Sequence, residues 1–324
     1  MRRESIERVV LVFPGALGDL LLALPALRAL RARHAGARVT AVVNEPLRAL
    51  VELAGVAEET AALEGADAAF FFGGARLPHW LEGRPFVYSW LGGGDDEVRA
   101  RVAAAARGAR FFGIERGPAP THAAVAYARA VGAPADLDAL AAATRLVPPP
   151  SAAADARWAG LAAPVLAVHP GAGGRAKRWD IAGFVQVAHW WRSRGGSVVA
   201  IAGPAEAGEP PALGAPEVRD WPLVDLAAVL ARVALYLGND SGVSHLAGAV
   251  GAAGVVLFGP TSARRWRPLA GRLVTLSARG GGPDGIPLAA LPAARVIAAC
   301  ARRFALTRGD PDTNVAAYAL SGRS

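Results

Sequence analysis

Along the chain, short apolar runs alternate with longer segments in which apolar residues recur at helical spacing, and glycine or proline marks most of the changes. Val9 to Phe13 is five consecutive apolar residues bounded by Pro14-Gly15, which predicts a buried strand rather than a helix. The turn Pro14-Gly15-Ala16-Leu17-Gly18-Asp19 follows, and Leu20 to Arg33 then has helical spacing. Val39 to Val43 predicts a second buried strand and Pro46 to Ala54 a helix, with Ala68 to Phe72 and Phe86 to Trp90 as further short strands. Val98 to Arg107 predicts another helix, and Asp95-Asp96-Glu97 ahead of it suits the positive end of its dipole better than a metal. Repeated β-α alternation of this kind predicts a parallel sheet covered by helices.

The alternation breaks between Val147 and Ala163, where Pro148-Pro149-Pro150-Ser151 leads into an alanine-rich polar segment. The pattern then restarts: Val165 to His169 as a strand, a glycine loop from Pro170 to Gly174, a helix over Ile181 to Arg194, and strands at Val198 to Ala202, Leu235 to Leu237 and Val255 to Phe258. The expected organisation is therefore an α/β chain of two Rossmann-like, doubly wound domains, 1–155 and 156–301, followed by a weakly periodic tail, 302–324, with no evident role. Ligands of such sheets bind outside the carboxyl ends of the strands, where both glycine loops fall, so a cleft between the domains is the expected site.

Composition narrows the class. The chain has 324 residues, 53% of them hydrophobic, enough for two cores and unlike a disordered chain. Pro14, Gly18, Asp19 and Pro25 interrupt the apolar stretch from Val9 to Leu30, which argues against a membrane span or a signal peptide. Cys300 is the only cysteine, which excludes an intramolecular disulfide and a multi-cysteine metal site, fits a reducing cytoplasmic setting, and reads as a small core residue. The formal charge of +8 favours anionic partners, but no compact basic tract points to nucleic acid. Among 35 lysines and arginines, Lys177 is the single lysine, which suggests a position requiring a compact ammonium where a planar guanidinium would not serve.

Three segments could carry chemistry. Gly15 to Asp19 offers bare amides and a helix start to a polar ligand, and the Asp19 carboxylate either caps that helix or takes a proton from an attacking hydroxyl. His169 to Trp179 joins a glycine loop containing Gly171 and Gly173 to three cations, Arg175, Lys177 and Arg178, a combination suited to a diphosphate or else to a solvated basic turn. Trp179 reads as a packing residue. In Gly238 to His245, Ser241 and Gly242 can present donors at a helix N-terminus, although Asp240 or Ser241 could equally be no more than the cap, and His245 alone reads as a structural histidine. Glu206, after another strand, could accept hydrogen bonds from a nucleoside or be an exposed loop carboxylate.

Taken together, Gly18-Asp19 with the following Leu20 to Pro25, His169-Pro170-Gly171 through Lys177-Arg178-Trp179, and Asn239-Asp240-Ser241-Gly242-Val243-Ser244-His245 with Gly259-Pro260-Thr261 beyond resemble the heptosyltransferase family, glycosyltransferase family nine. The likeness spans about Val9 to Arg267, and Asp-Ser-Gly-x-Ser-His is its most distinctive element. It implies a GT-B fold, an ADP-heptose donor, a lipopolysaccharide-core or related lipid-linked or oligosaccharide acceptor, and inversion with no metal and no cofactor. By motif, it implies Asp19 as catalytic base on an acceptor-side loop with Gly15 and Gly18, and Lys177 as the diphosphate ligand. Glu206 would hold the nucleoside, and Gly171, Gly173, Asp240, Ser241, Gly242 and His245 would complete the donor site. A lipid-bearing acceptor would bring a cytoplasmic, arginine-rich surface into peripheral contact with the inner face of the inner membrane.

Two other readings stand beside it. An NAD-dependent Rossmann oxidoreductase could use Glu45 at the end of the second strand, but the chain lacks Gly-x-Gly-x-x-Gly after its first strand. The other is a non-catalytic sugar-nucleotide binding protein, against which the presence of both Asp19 and Lys177 argues.

Overall fold

The computed structural model describes residues 6–65, 67–74, 76–203, 206, 213–278, 287–288 and 291–308. The chain splits into two compact units, one drawn from Met1–Gly117 and Ala123–Thr144, the other from Pro118–His122 and Arg145–Ser324. The break expected at 155/156 moves to Thr144/Arg145. The alanine-rich segment after the prolines is a helix that packs within the second unit, and Ser151 there donates to Asp225 at 2.7 Å.

In the first unit the elements are β1 (Arg8–Phe13), α1 (Leu17–Arg33), β2 (Arg38–Val43), α2 (Arg48–Leu53), β3 (Glu59–Ala62), β4 (Phe86–Ser89), α3 (Asp96–Ala105), β5 (Gly108–Phe111), α4 (Ala123–Ala130) and α5 (Leu137–Thr144). The five strands form one parallel sheet in the order β3-β2-β1-β4-β5. Both faces are covered, as a parallel sheet requires. Val10 and Val12 of β1 join Val87, Val98 and Val102 in one cluster, while Phe13, one pleat on, meets Tyr127 of α4 edge-on at 5.9 Å. Asp95 caps α3 by accepting from the Glu97 and Val98 amides at 3.0 and 3.1 Å, so the acidic cluster serves the helix start.

One expected strand is not a strand. Ala68–Phe72 is a 3-10 turn closed by Gly73 at φ 104°. Phe70 and Phe71, neighbours in sequence, both bury in the cluster with Trp80, which a strand with alternating side chains could not arrange.

The second unit contains α6 (Ala152–Trp158), β6 (Val165–His169), α7 (Ile181–Arg192), β7 (Ser197–Ala202), β8 (Glu217–Arg219), α8 (Leu223–Leu230), β9 (Leu235–Asn239), α9 (Gly242–Ala249), β10 (Ala253–Phe258), α10 (Ala263–Trp266), β11 (Arg272–Ser277) and α11 (Ala293–Arg308). Its strands form a parallel sheet in the order β11-β10-β9-β6-β7-β8. Leu166, Val168, Leu235, Leu237, Val255 and Leu257, alternate residues of three strands, share one face with Phe184 and Trp191 of α7 and Val296 and Cys300 of α11. Burial pushes the Cys300 thiol up to about 12, so it behaves as the small apolar residue expected. Helix α11 extends through Arg308, past the end expected for this domain at 301; the rest of the tail lies outside the described residues.

Each sheet has one switch point, where successive strands depart to opposite sides: between β1 and β4 in the first unit, and between β6 and β9 in the second. Open α/β sheets bind their ligands at such points.

Candidate functional site

In the second unit the chain leaves β6 through His169 and returns to α7 through a 3-10 turn at Arg175–Lys177. Asn239, the last residue of β9 and fully buried, ties down both ends of this loop. Its Nδ2 donates to the Pro170 carbonyl at 2.7 Å and its Oδ1 accepts from the Trp179 amide at 3.2 Å. Trp179 is buried, and its indole donates to the Leu291 carbonyl at 3.0 Å, which makes it the packing residue expected.

Glu206, following β7, lies folded over Gly171. A Cβ at Gly171 would stand 2.2 Å from the Glu206 Oε1, so only glycine leaves room for that carboxylate. Glu206 is buried rather than an exposed loop acid. Its Oε2 accepts from the Gly203 amide at 2.9 Å, its Oε1 lies 3.4 Å from Arg178 Nη2, and the His169 ring is 3.8 Å away. Burial would raise the carboxyl pKa, but the His169 ring, the Gly203 amide and the Arg178 charge outweigh it and hold the group below its ordinary value. Gly173, by contrast, faces open space, and a Cβ there would meet nothing within 4 Å.

The start of α9 supplies the other half. Ser241 is its cap, accepting from the Ser244 amide at 3.4 Å, and its hydroxyl also contacts His169 Nδ1 at 3.1 Å. His169 therefore bridges the Ser241 loop to Glu206. Asp240 is buried and holds two donors on one oxygen: Lys177 Nζ at 2.9 Å and the Thr261 hydroxyl at 2.6 Å. The lysine remains about one third exposed, at 36%, against 6% for the carboxylate. The basic loop is thus not mere solvated decoration, since Lys177 and Arg178 each reach a buried carboxylate. Gly242 is the first residue of α9. His245 in the same helix is buried, and that burial takes its pKa down to about 4 despite the Asp240 charge; it is a neutral imidazole at ordinary pH.

In this unit, then, Gly171, Lys177, Glu206, Asp240, Ser241, Gly242 and His245 gather around the carboxyl ends of β6, β7 and β9, and Thr261 joins them from beyond β10. Reading the sequence assigned no task to His169, Asn239 or Thr261. The available signal was position: His169 and Asn239 are polar residues ending otherwise apolar strands, each two residues ahead of a glycine or a helix cap.

Asp19 belongs to the first unit. Helix α1 begins at Leu17, earlier than the sequence suggested, so Asp19 sits in its first turn, while the cap position is Ala16, which makes no side-chain cap bond. Asp19, Gly15, Trp90, Phe112, Glu115 and Arg116 line a cavity of about 910 Å³ at the β1/β4 switch point. A Cβ on Gly15 would meet Phe13 at 2.4 Å and the Asp19 Cβ at 2.8 Å, so glycine permits the tight turn that sets Asp19 in the cavity wall. Gly18 is the second residue of α1. Glu45 lies in a 3-10 turn and pairs with Arg48 at 3.0 Å.

Among the described residues no group of three His, Cys, Asp or Glu side chains converges as metal ligands would. Nor is any described helix long and apolar enough to cross a membrane.

Two doubly wound parallel units, each opening a glycine turn at its switch point, are the architecture of GT-B sugar transferases. The model of glycosyltransferase family 9 (heptosyltransferase) matches residues 121–284, just over half of the chain. The chain belongs to this family, which makes it a glycosyltransferase and displaces the oxidoreductase reading. Among solved structures it resembles a family 9 glycosyl transferase from Veillonella parvula, at 19% identity and TM-score 0.76, over 94% of this chain and 98% of that one. It also resembles the E. coli ADP-heptose lps heptosyltransferase II, at 17% identity and TM-score 0.68, over 93% and 99%. A third is the E. coli heptosyltransferase WaaC with ADP, at 16% identity and TM-score 0.58, over 87% and 96%. These likenesses establish a shared fold. Among curated protein sequences none matches the chain.

Proposed function

We propose that this glycosyltransferase moves a heptose from an ADP-activated donor to a lipid-linked or oligosaccharide acceptor of the lipopolysaccharide-core type, inverting the anomeric centre without a metal. The observation that carries the reading is the Lys177 ammonium, held 2.9 Å from Asp240 where α9 begins. A partly exposed cation and a helix N-terminus at one switch point suit a diphosphate. Glu206, fixed over Gly171, would accept from the nucleoside, and the names of the E. coli structures support ADP-heptose as donor.

In the proposed reaction Asp19 takes the proton from an acceptor hydroxyl bound in the first unit's cavity. That oxygen forms its bond to the anomeric carbon while the bond from that carbon to the phosphate oxygen breaks, and the electron pair leaves on ADP. Lys177, together with Ser241 and Gly242 at the helix start, would neutralise the charge growing on the diphosphate. Asp240 and Thr261 would hold Lys177 ready for that task, and His169 would keep the Ser241 and Glu206 sides in register. The arginine-rich surface supports peripheral contact with an anionic membrane face where a lipid-bearing acceptor would lie.

The test is ADP release from ADP-heptose in the presence of a core acceptor. Removing a preorganised charge stabiliser costs on the order of 100- to 1000-fold in rate, so Lys177→Ala should lose that much while remaining folded. Near-normal turnover in Lys177→Ala would refute the lysine's role. Tighter calorimetric binding of UDP- or GDP-sugars than of ADP-sugars would refute the donor, and loss of turnover on chelation of divalent ions would refute metal independence.

A further inference from the structure

A second cavity, of about 390 Å³, opens at the opposite edge of the first unit's sheet, where the strands begin. Arg8 opens β1 and Phe86 opens β4, whereas Asp19 follows the far end of β1. A strand of this length, rising ~3.3 Å per residue, separates the two cavities by about 20 Å, so the proposed transfer reaction makes no use of this one.

Three guanidinium groups, from Arg8, Arg84 and Arg107, line the cavity, against one carboxylate, Glu7. Arg8 Nη1 donates to the Glu82 carbonyl, and Arg84 Nη2 donates to the Ala106 carbonyl at 3.2 Å. Anchoring of this kind fixes a guanidinium without neutralising it, and most of its five N–H donors stay available. The backbone here adds an independent observation. Gly83 and Arg84 are both left-handed, at φ 73° and 54°, and a Cβ on Gly83 would stand 3.0 Å from Arg8 Nη1. Glycine therefore leaves the Arg8 guanidinium room over the turn. Arginine is a poor residue for a left-handed position, one where glycine or asparagine would relieve strain. Strain kept at a residue whose side chain lines a charged cavity points to a use for that side chain.

We propose that this cavity binds a phosphate group, carried either by a small phosphorylated solute or by an anionic lipid headgroup. Planar guanidinium groups recognise phosphate oxygens in pairs, and a lining of three guanidinium groups against one carboxylate favours an anion.

The experiment uses the full chain and two probes: inorganic phosphate by calorimetry, and co-sedimentation with phosphatidylcholine vesicles with or without phosphatidylglycerol. Each is run in the native protein and in Lys177→Ala, which separates phosphate taken up at the donor loop. Arg84→Gly removes one guanidinium at a position glycine adopts freely, so its melting temperature should hold or rise while binding falls on the order of tenfold. Arg107→Gln should show the same loss from a residue without backbone strain. Loss of phosphate binding alone identifies a soluble ligand, loss of phosphatidylglycerol vesicle binding alone identifies a headgroup, and either supports the site. The proposal fails if both variants bind both probes as the native protein does, or if the native protein binds neither. Transfer activity should persist in Arg84→Gly and fall in Lys177→Ala, so this proposal and the donor-site reading fail separately.

Discussion

Gly171→Ala adds one methyl group and should disable the proposed nucleoside contact of Glu206. The new Cβ would stand 2.2 Å from Glu206 Oε1 and 2.5 Å from Oε2, so with ordinary contact beginning near 3.4 Å the carboxylate must retreat by about 1 Å. A free glutamate tip would yield cheaply. This one is buried and holds the Gly203 amide at 2.9 Å and Arg178 at 3.4 Å. Retreat breaks at least one charge-assisted hydrogen bond within the protein, a stability loss of about 1.5–3 kcal/mol. It also withdraws the carboxylate from the nucleoside it is proposed to hold, so ADP binding should weaken on the order of tenfold or more. Gly173→Ala is the matched control for the clash itself, because its Cβ meets nothing within 4 Å and its melting temperature should stay close to the native value. Calorimetric titration with ADP, alongside thermal melts, reads both variants. Equal ADP affinity in the native protein and in a fully folded Gly171→Ala would show that Glu206 does not hold the nucleoside.

Two further outcomes follow from the same geometry. Asp19→Asn keeps the shape of the α1 first turn and should abolish sugar transfer while leaving the ADP titration unchanged; measurable transfer would exclude Asp19 as the base. His245 and His122 are both buried, and burial lowers each to about 4. The unfolded chain, with ordinary histidines near 6.5, then binds more protons than the folded one between those values, so stability must fall as pH drops through that window and level off below it. One such histidine accounts for ~3 kcal/mol, and the two act on each other, so their effects should not sum. The fall in urea midpoint from pH 7 to 4 should be shallower in His245→Gln, with His122 supplying what remains, and a slope matching the native protein's would contradict a buried neutral imidazole.

Much of this was legible in the sequence because short-range patterns carry it. Apolar runs such as Val9 to Phe13 and Val165 to Val168 suit strands buried on both faces of a parallel sheet, and the glycine turns after them mark strand ends. The strands that escaped were edge strands such as β3 and β11, whose half-exposed residues mix polar and apolar types, and helices α4, α5, α6 and α8 went unread as well. The Ala68 to Phe72 run misled because two adjacent phenylalanines look the same whether a strand separates them or a tight turn buries them together.

The sequence by itself determined the two α/β units, the loops that follow their strands, and the identity of the groups at the candidate site, including the lone Lys177 and the motif from Asp240 to His245. Tertiary structure alone decided which of those groups meet. Lys177 and Asp240, 63 positions apart, pair because β6 and β9 lie side by side at the switch point. Glu206 is held by a glycine 35 positions before it, through a contact that exists only once β6 and β7 have paired. The same holds for the arginine cavity, assembled from the starts of neighbouring strands. Local pattern records what each residue prefers next to its chain neighbours, whereas strand order sets which distant residues share a sheet edge, and that order is fixed by packing of whole helices and strands.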